Sequence, residues 1–599
     1  MTTSLDPVPG LGETGDAEDA IDGVDGVDAL AGWRLRPGVA LTPLSNGLHL
    51  RGWRSSVTIE GSRALPALWQ LLEAVLRTGD PTALEAPTGS PLRGALNTLI
   101  GHLHAHDLLV ARDGCAARWL SAAAPHPAAA ARAIAAARPR LRAGDPADPL
   151  AQAAARALRR AGAVPCVAAW PAGPAGLLLL SAGPGRSATV AAGVSGGGGF
   201  VTAVGSPEQA EADAAALTTR LGLVADDGSG TTAGPAASAA LTALVAGAAA
   251  QRLLCAVAGL PDPAHDGEDH LVLSGLPAVL VAEARPLRAD YHAWLGPQAL
   301  DHDRRAPLPP PDTLAQALRR VAALGDKRVG VLTPALPDAL PQLPVALVSA
   351  QLPLSGSEGT LLAAAARTDL ARLDAACRVA ELRLSDPHSR ITVGATPDHA
   401  WGRALRREAA HHLGDHLGDR LPSRSWDDHP HARHWWRTLT ERLGQSAELT
   451  VHQYGAAYVA SVRTVGRPPI RAVEASAGDA VAFAALGAVA HAVSRRHNLT
   501  FHRFSLPSGA SAPLAIADLE LAGWEDEGWT TGWLAGLAAR EGALRTALCR
   551  QTGLRPTPWR PVGADAATLS AALHACGFTV LSSTSNADQA AKPAEEVYS

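Results

Sequence analysis

Cysteine is scarce and unpaired in this sequence of 599 residues. No two of the six cysteines have the C-x-x-C spacing, which excludes the usual tetrathiolate zinc site and a thioredoxin-type redox motif. Isolated thiols are typical of a reducing compartment, so we predict a cytoplasmic protein. The six are Cys115, Cys166, Cys255, Cys377, Cys549 and Cys576.

Segments that would direct the chain to a membrane are also missing from the pattern. The N-terminus is acidic, whereas a signal peptide begins with basic residues followed by an apolar run. Apolar runs are interrupted by charge, glycine or proline short of a membrane span. The formal net charge is only −5, which argues against nonspecific binding to nucleic acid. We expect no nucleic acid and no membrane as partners.

Basic residues are absent before Arg34, while acidic residues recur through that segment. Residues 1–31 therefore cannot bury enough apolar surface to offset chain entropy, and we predict disorder there and in the tail at 586–599. A proline-rich stretch at 296–312 is typical of a linker. Three folded regions are predicted, at 33–115, 125–295 and 313–585.

The first region, 33–115, has the pattern of a small meander followed by two helices. Strands are predicted near 40–43, 48–51 and 56–60, with turn chemistry in Ser45–Gly47. Apolar spacing predicts helices at 64–76 and 91–104, and the segment 107–112 returns as a strand. This order is typical of a winged helix-turn-helix.

The middle and last regions mix helices and strands, so the fold class predicted for the chain is mixed α/β. In the middle region "VPCVAAW" and "GLLLLSA" are predicted to be buried strands, and "HPAAAARAIAAARPRLRAG" to be helical. In the last region "RVGVLT", "VALVSA", "ELTVHQY", "AAYVASV" and "AVEASA" are predicted strands. Helices are predicted there at 360–383, 397–413, 430–444 and 478–496.

A winged helix has three possible uses, and the sequence leaves them open. A DNA reader needs polar and basic side chains on its second helix, and that helix offers Arg93, Asn97, Thr98, His102 and His104 but no lysine. Alternatively, a peptide adds to a free strand edge as an extra strand. The third possibility is a packing module without a ligand.

Other motifs that resemble binding or catalytic sites lie in sequence surroundings that argue against such a site. The glycine-rich stretch Gly193–Phe200 runs into a predicted strand and opens no helix, which favours a surface loop over a phosphate-binding loop. Histidines crowd the stretch 399–434, and His412 and His416 share a helical spacing. Gly414 and Gly418 weaken that helix, so a solvated polar face is favoured over a metal site. No serine follows the pattern of a nucleophile elbow.

The stretch "RLRPGVALTPLSNGLHLRGWRSSVTIEG…LPALWQLLEAVLRTG" resembles the leader-peptide recognition element of enzymes that modify ribosomally made peptides. The whole chain resembles the partner proteins of azoline cyclodehydratases of the TOMM or thiopeptide type. Supporting stretches include "ALVAGAAAQRLLCAVAGLPDP" and "HPHARHWWRTLTERLG". The resemblance implies a winged-helix recognition domain, then a degenerate domain like the adenylating enzymes, then a degenerate YcaO-like region.

In that family the leader lies as an added strand between the third strand and the third helix. The resemblance therefore implies leader contacts on the strand and on the helix, and it implies no catalytic, cofactor-binding or metal-binding residue in this chain. The implied contacts are Arg54, Ser56, Val57, Thr58 and Ile59 on the strand, and Leu96, Leu99, Ile100 and Leu103 on the helix.

The implied partners are the leader of a precursor peptide and a separate YcaO cyclodehydratase that uses ATP and magnesium. An azoline dehydrogenase and a second copy of the chain are further possible partners. Two other functions stay open, a divergent ATP-dependent cyclodehydratase and a DNA-binding regulator.

The YcaO resemblance itself predicts lost chemistry. Of the pattern S-x-x-E-x-x-E-R, the segment 373–383 keeps only Glu381. Cys377 and Leu382 stand where a glutamate and an arginine would be needed. Of the pattern A-L-x-E-x-x-Q, "ALGAVAH" has Ala488 in place of the glutamate. A hydrocarbon side chain cannot bind magnesium, so ATP hydrolysis by this chain is not expected.

Overall fold

The computed structural model describes residues 27–584, apart from residues 53–54, 79–86, 88, 113–117, 172, 175, 184–187, 224–236, 266–271, 297–306, 355–356, 386–389, 413–418, 423–424 and 519–528. The chain divides into two compact units. Unit 1 comprises Met1–Arg138 with Arg159–Val164 and Val257–Leu260, and unit 2 comprises the rest. The fold is mixed α/β, which confirms the predicted class.

Unit 1 contains the meander and helices that the sequence predicts. β2, β3 and β4 form a three-stranded antiparallel sheet in chain order, and β1 pairs with β5 in a separate two-stranded sheet. The elements are β1 (Trp33–Leu35), β2 (Ala40–Leu44), β3 (Gly47–Arg51), β4 (Ser56–Glu60), α1 (Leu65–Thr78), α2 (Pro91–Ala105), β5 (Leu109–Ala111), α3 (Arg118–Ala123) and α4 (Pro127–Ala137).

The predicted disorder at 1–31 is wrong for its last residues. A 3₁₀ helix spans Val27–Gly32, and Val27 and Leu30 are buried in the core of unit 1. The backbone N–H of Val27 donates to Oδ1 of Asn97 at 3.0 Å. These two apolar side chains give the segment its anchor despite the acidic residues before them. Residues 1–26 and 585–599 lie outside the described residues.

The first part of unit 2 holds a seven-stranded sheet in the order β12-β11-β10-β9-β8-β6-β7. All neighbours are antiparallel except β6 and β7. Its elements are β6 (Arg140–Ala143), α5 (Pro149–Arg160), β7 (Cys166–Ala169), β8 (Leu177–Ala182), β9 (Ala188–Val194), β10 (Gly198–Val201), α6 (Pro207–Arg220), α7 (Ala239–Val257), β11 (Ala278–Ala284) and β12 (Leu287–Ala293).

The second part of unit 2 surrounds one long buried helix, α12. Its sheets have the strand orders β13-β14-β20, β15-β22-β21 and β16-β17-β18-β19. The elements are α8 (Leu314–Leu324), β13 (Ala346–Leu354), β14 (Ser357–Ala365), α9 (Thr368–Leu384), β15 (Ile391–Gly394), α10 (Pro397–His412), β16 (Asp419–Arg420), α11 (Pro430–Arg437), β17 (Ala447–Tyr454), β18 (Ala457–Thr464), β19 (Ile470–Glu474), α12 (Ala477–Arg496), β20 (Arg503–Ser505), α13 (Ala512–Ile516), α14 (Trp529–Thr552), β21 (Arg555–Pro558), α15 (Ala564–Ala575) and β22 (Thr579–Thr584).

Several predicted elements of unit 2 differ from the structure. "RLRA" at 140–143 is a strand rather than the end of a helix, and β7 is a half-exposed edge strand rather than a buried one. No strand occupies 328–333. The start of the predicted helix 360–383 belongs to β14. A run of alanine and leucine fits the spacing of a helix and that of a strand equally well, and here the pairing with β13 makes it a strand.

The glycine-rich stretch is a β-hairpin, so the predicted surface loop is limited to residues 195–197 between the two strands. β9 and β10 pair across it, and Gly198 and Gly199 are buried. A Cβ at Gly198 would lie 2.6 Å from the carbonyl oxygen of Ala282, and one at Gly199 would lie 2.7 Å from that of Gly193. The glycines therefore allow close backbone packing.

Within the described residues, two helices are long and apolar enough to cross a membrane by length and composition alone, α7 and α12. The fold buries 56% of the apolar window of α7 and 94% of that of α12. α12 is buried on nearly every face, which explains why its residues are apolar all round.

Candidate functional site

Strand β4 is an edge strand of the meander sheet. Among the described residues it pairs with β3 alone, and its other edge has no strand partner. An unpaired edge presents backbone donors and acceptors to which an extended chain can add. This edge is therefore one place in unit 1 where a peptide strand could bind.

Hydrogen bonds at both ends of the β3–β4 ladder fix the direction of its backbone groups. The N–H of Gly52 donates to the carbonyl of Ser55 at 2.8 Å, and the N–H of Gly61 donates to the carbonyl of Asn46 at 3.1 Å. Bonded and non-bonded residue pairs alternate along an antiparallel ladder. Every second residue of β4, counted from these bonded ends, therefore directs its N–H and C=O groups towards β3. The residues between them direct these groups towards the open edge.

Three residues of β4 direct their backbone N–H and C=O groups to the open edge. Val57 and Ile59 use their N–H and C=O groups on β3, opposite their register partners. Ser56, Thr58 and Glu60 direct theirs away from β3. A bound strand would therefore take its main-chain hydrogen bonds from these three residues.

The opposite edge of the same sheet, on β2, is interrupted by a proline. The same alternation places Leu41 and Pro43 of β2 at positions facing away from β3. Proline has no N–H to donate and is tolerated on an outward edge. The described residues of β4 include no proline, so the two edges differ in their capacity to accept a strand.

The side chains of β4 alternate between the core and the surface. Val57 is buried and Ile59 packs against the core of unit 1. Ser56 and Thr58 are exposed, and the Thr58 hydroxyl lies 2.8 Å from Nδ1 of His49. Of the predicted strand contacts, Ser56 and Thr58 are thus accessible, whereas Arg54 lies outside the described residues.

The predicted helix contacts are core residues in this structure. Leu96, Leu99, Ile100 and Leu103 on α2 are at most 2% exposed, and they pack in the core of unit 1. Their contact with a leader stays a prediction.

The helix α9 of unit 2 carries the glutamate of the YcaO-like pattern, and arginines surround it. Arg378 and Arg407 donate to Oε2 of Glu381 at 2.9 and 3.0 Å, and Arg403 donates to Oε1 at 3.1 Å. Desolvation opposes ionisation of this buried carboxyl, but Arg403 and Arg407 outweigh it and lower its pKa to about 2.

This setting does not fit a magnesium ion. A hard dication needs several free carboxylate oxygens, and both oxygens of Glu381 already accept from guanidinium groups. Three positive charges within hydrogen-bond distance of the carboxyl would repel a further cation. The residues around Glu381 therefore do not fit the metal that the resemblance to ATP-dependent enzymes would require there.

A second buried arginine joins two more elements. Arg406 on α10 donates from Nε and Nη2 to the carboxylate of Glu474 at 3.0 and 2.9 Å. It donates from Nη1 and Nη2 to Glu541 at 2.9 and 2.5 Å. Coulombic attraction to these two glutamates outweighs desolvation and raises the pKa of Arg406.

Sequence reasoning missed the arginines of α10, although the helix itself was predicted. Arg403, Arg406 and Arg407 recur in "RALRRE" at the spacing that places side chains on adjoining faces of a helix. Their partners are remote in sequence, on α9, β19 and α14. Three arginines within five residues of a predicted helix were the available signal.

A buried serine and histidine lie together in unit 2, but their geometry does not make a nucleophile. Oγ of Ser511 lies 3.0 Å from Nε2 of His399 and 3.4 Å from Oδ1 of Asp374. Nδ1 of His399 accepts from the N–H of Ala395 at 3.1 Å, so the neutral ring carries its proton on Nε2. The ring therefore donates to Ser511 and cannot take its proton.

The histidine-rich stretch has separate local partners. His429 lies 3.2 Å from Oδ1 of Asp479. His431 stacks on Trp529 at 3.6 Å and on Trp533 at 4.5 Å between ring centres. Within the described part of the chain no three histidine, cysteine or acidic side chains converge on a metal position, and His416 falls outside it.

No protein-family model matches the chain, and no curated protein matches it. A solved structure described as a heterocyclase in complex with substrate and cofactor is 12% identical, with a TM-score of 0.46, over 92% of this chain and 94% of that one. The structure of the heterocyclase TruD is 12% identical, with a TM-score of 0.41, over the same shares. This likeness is too distant to assign an activity to the chain.

Proposed function

We propose that this chain binds the leader of a ribosomally made precursor peptide at the open edge of β4. It then presents the core of that peptide to a separate YcaO cyclodehydratase, which forms thiazolines or oxazolines with ATP and magnesium. An azoline dehydrogenase and a second copy of the chain are further partners in this proposal, and the compartment is the cytoplasm. Tethering raises the local concentration of the core, up to the millimolar range for short flexible linkers.

The observation that carries the proposal is the difference between the two edges of the meander sheet. Outward backbone groups of Ser56, Thr58 and Glu60 lie on β4, whereas Pro43 interrupts the outward row on β2. Added strands gain affinity from main-chain hydrogen bonds. The resemblance of this stretch to leader-recognition elements names the kind of peptide.

The alternative functions have less support. The arginines around Glu381 disfavour an ATP-dependent cyclodehydratase in this chain, because they occupy the carboxylate that magnesium would need. Asn97, one of the polar side chains that α2 offers to a DNA base, is already engaged within unit 1, since its amide oxygen accepts from the N–H of Val27. The net charge of −5 also disfavours DNA binding.

Thr58 offers the sharpest test, because its N–H faces the open edge while the β3 ladder does not use it. We expect Thr58→Pro to weaken binding of a fluorescein-labelled leader peptide about tenfold, since a lost hydrogen bond and a steric clash together cost at least about 1.4 kcal/mol. Thr58→Val, which keeps the N–H, should bind as the wild type does. Fluorescence polarisation measures both dissociation constants.

Circular dichroism checks that both variants are folded. Equal affinity of folded Thr58→Pro and Thr58→Val would exclude strand addition at β4. Ile59 and Leu99 are poorer positions for a test, since both contribute to the core of unit 1 and substitution there threatens the fold.

A further inference from the structure

A cavity of about 340 Å³ lies in unit 2 between the β11–β12 hairpin and the helices α8 and α9. One face of the hairpin forms a wall, because Arg288, Asp290 and His292 lie two residues apart along β12 and therefore point to the same side of the sheet. α8, the segment that follows it and the start of α9 form the other walls. The leader-binding proposal uses none of these residues.

Two carboxylates on the hairpin wall are neutralised by arginines. Nε of Arg288 lies 2.5 Å from Oδ2 of Asp290 on the same strand. The guanidinium of Arg328, from the segment after α8, pairs with Glu283 of β11. The charges of each pair cancel, so neither pair by itself attracts an ion into the cavity.

The third carboxylate, that of Asp326, is surrounded by donors. Nδ1 of His292 lies 2.7 Å from its Oδ2, and its Oδ1 accepts from the backbone N–H groups of Arg328 and Val329 at 2.7 and 3.0 Å. Desolvation opposes ionisation, but the hydrogen bonds from His292 and Val329 outweigh it and lower the pKa of Asp326. Both carboxylate oxygens are thus used within the chain, which makes the cavity a poor site for a cation.

Two cationic side chains of the wall have no partner among the described residues. Arg372 of α9 is half-buried, and its Nε is a buried atom without a hydrogen-bond acceptor. Lys327 is exposed at the edge of the cavity and makes no ion pair with a described carboxylate. Buried polar groups of native proteins usually have a partner, so Arg372 is a candidate ligand for an anion that enters the cavity.

The charge and size of the cavity indicate which anion fits. Among the described residues four cationic side chains and three carboxylates line it, so with His292 neutral the wall carries one net positive charge. A monoanion would neutralise this charge, whereas a dianion such as hydrogen phosphate would leave an excess negative charge beside three carboxylates. The volume is near the lower end of the range for small-molecule pockets, about 300–1,000 Å³. Val281, Val321 and Leu336 add apolar surface to the wall.

We propose that this cavity binds one small monocarboxylate with an apolar chain, with Arg372 as its principal ligand and Lys327 at the entrance. A guanidinium matches the geometry of a carboxylate with two parallel hydrogen bonds, and the apolar chain packs against the valines and the leucine of the wall. The carboxylate belongs either to a free acid or to the last residue of a peptide.

Isothermal titration calorimetry of the full chain with 4-methylpentanoate tests this site. We expect saturable binding with one site per chain, weakened about tenfold in Arg372→Gln and about threefold in Lys327→Gln, since the lysine is exposed to solvent. Arg319→Gln removes an exposed arginine of α8 that does not line the cavity, and it should bind as the wild type does. The uncharged 4-methylpentanamide and inorganic phosphate should each bind at least about tenfold more weakly than 4-methylpentanoate.

N-acetyl-leucine distinguishes the two sources of the carboxylate, because it adds a peptide-like acetamide to the same branched acid. Tighter binding than that of 4-methylpentanoate assigns the end of a peptide, and equal or weaker binding assigns a free acid.

Three results would overturn the site. They are no saturable binding of either acid, equal or tighter binding of the amide or of phosphate, and unchanged affinity in Arg372→Gln that circular dichroism shows to be folded. If Arg372→Gln does not fold, an affinity that is unchanged in Lys327→Gln has the same consequence. Leader binding is measured separately, so either proposal can fail alone.

Discussion

Asp374 and Glu381 lie two turns apart on α9, and their pKa values shift in opposite directions although both carboxyls are buried. Desolvation raises the pKa of Asp374 to about 6, opposed mainly by Arg403. The pKa of Glu381 falls to about 2, because the attraction of Arg403, Arg407 and Arg378 exceeds its desolvation. The number of arginines in contact, rather than burial, therefore decides which carboxyl stays charged.

The raised pKa of Asp374 predicts a pH dependence of stability. The folded state holds this proton more tightly than the unfolded state, whose pKa is near 3.8. The carboxyl therefore favours folding fully below about pH 4 and loses that contribution as the pH rises to about 6. We expect the stability of the wild type, relative to Asp374→Asn, to fall across this range and to stay level above it.

Urea unfolding at several pH values, followed by tryptophan fluorescence, measures this difference. The asparagine variant is the control, because it keeps the size of the side chain and cannot titrate. A difference that stays constant between pH 4 and pH 6, or that grows with pH, would contradict the environment described for Asp374.

Single residues also mark where sequence reasoning stops. The spacing of Leu96, Leu99, Ile100 and Leu103 predicts one apolar face of a helix, and α2 has it. The same spacing serves a core face and a peptide-binding face equally well. The pairing of Glu381 with Arg403 cannot be read from the sequence, because it depends on how α9 and α10 pack.

At the scale of elements, the meander was predictable and its pairing was only partly so. Alternation and turn residues define β2, β3 and β4 within one or two residues. The strand after α2 was predicted, but its partner β1 was not, because a three-residue strand has too short a pattern. In "TLLAAAA" the apolar residues fit the helical and the strand periodicity equally well. The segment forms part of β14 because it pairs with β13.

The helix α12 gives the prediction at this scale. Ala488, where the YcaO-like pattern has glutamate, is 1% exposed among apolar neighbours of the core. Ala488→Glu would bury a larger and uncompensated carboxylate, which we expect to destabilise unit 2 by about 3–5 kcal/mol. Chemical denaturation compares it with Arg496→Gln, an exposed position of the same helix, which should change stability by less than about 0.5 kcal/mol.

A folded Ala488→Glu variant as stable as the wild type would mean that α12 has space for a polar group, contrary to its packing. The expected loss instead indicates that the neighbourhood of α12 has been filled in with apolar atoms. Restoring a single glutamate would then not restore a metal site.

For the whole molecule, composition and alternation predict the mixed α/β class, while boundaries depend on contacts distant in sequence. Val27 and Leu30 extend unit 1 into a segment whose acidic composition favours disorder. The segment 307–311 precedes α8, and the carbonyl of Pro309 accepts from Arg320 at 2.5 Å, so the end of the predicted linker is held in the fold. Local composition carries no information on such anchors.

The last prediction concerns the proposed division of labour between this chain and a separate YcaO enzyme. We expect the purified chain to show no ATP turnover above background with magnesium present, because guanidinium groups already occupy the carboxylate oxygens of Glu381.

When the chain is added to the separate YcaO enzyme, it should raise azoline formation on the full precursor, measured by the mass loss of one water per ring. A precursor without its leader should react slowly, and its rate should be the same with and without this chain, since tethering acts through the leader alone. Thr58→Pro should lower the rate on the full precursor towards that slow rate, whereas Thr58→Val should not. Azoline formation and ATP turnover by the chain alone would overturn this division.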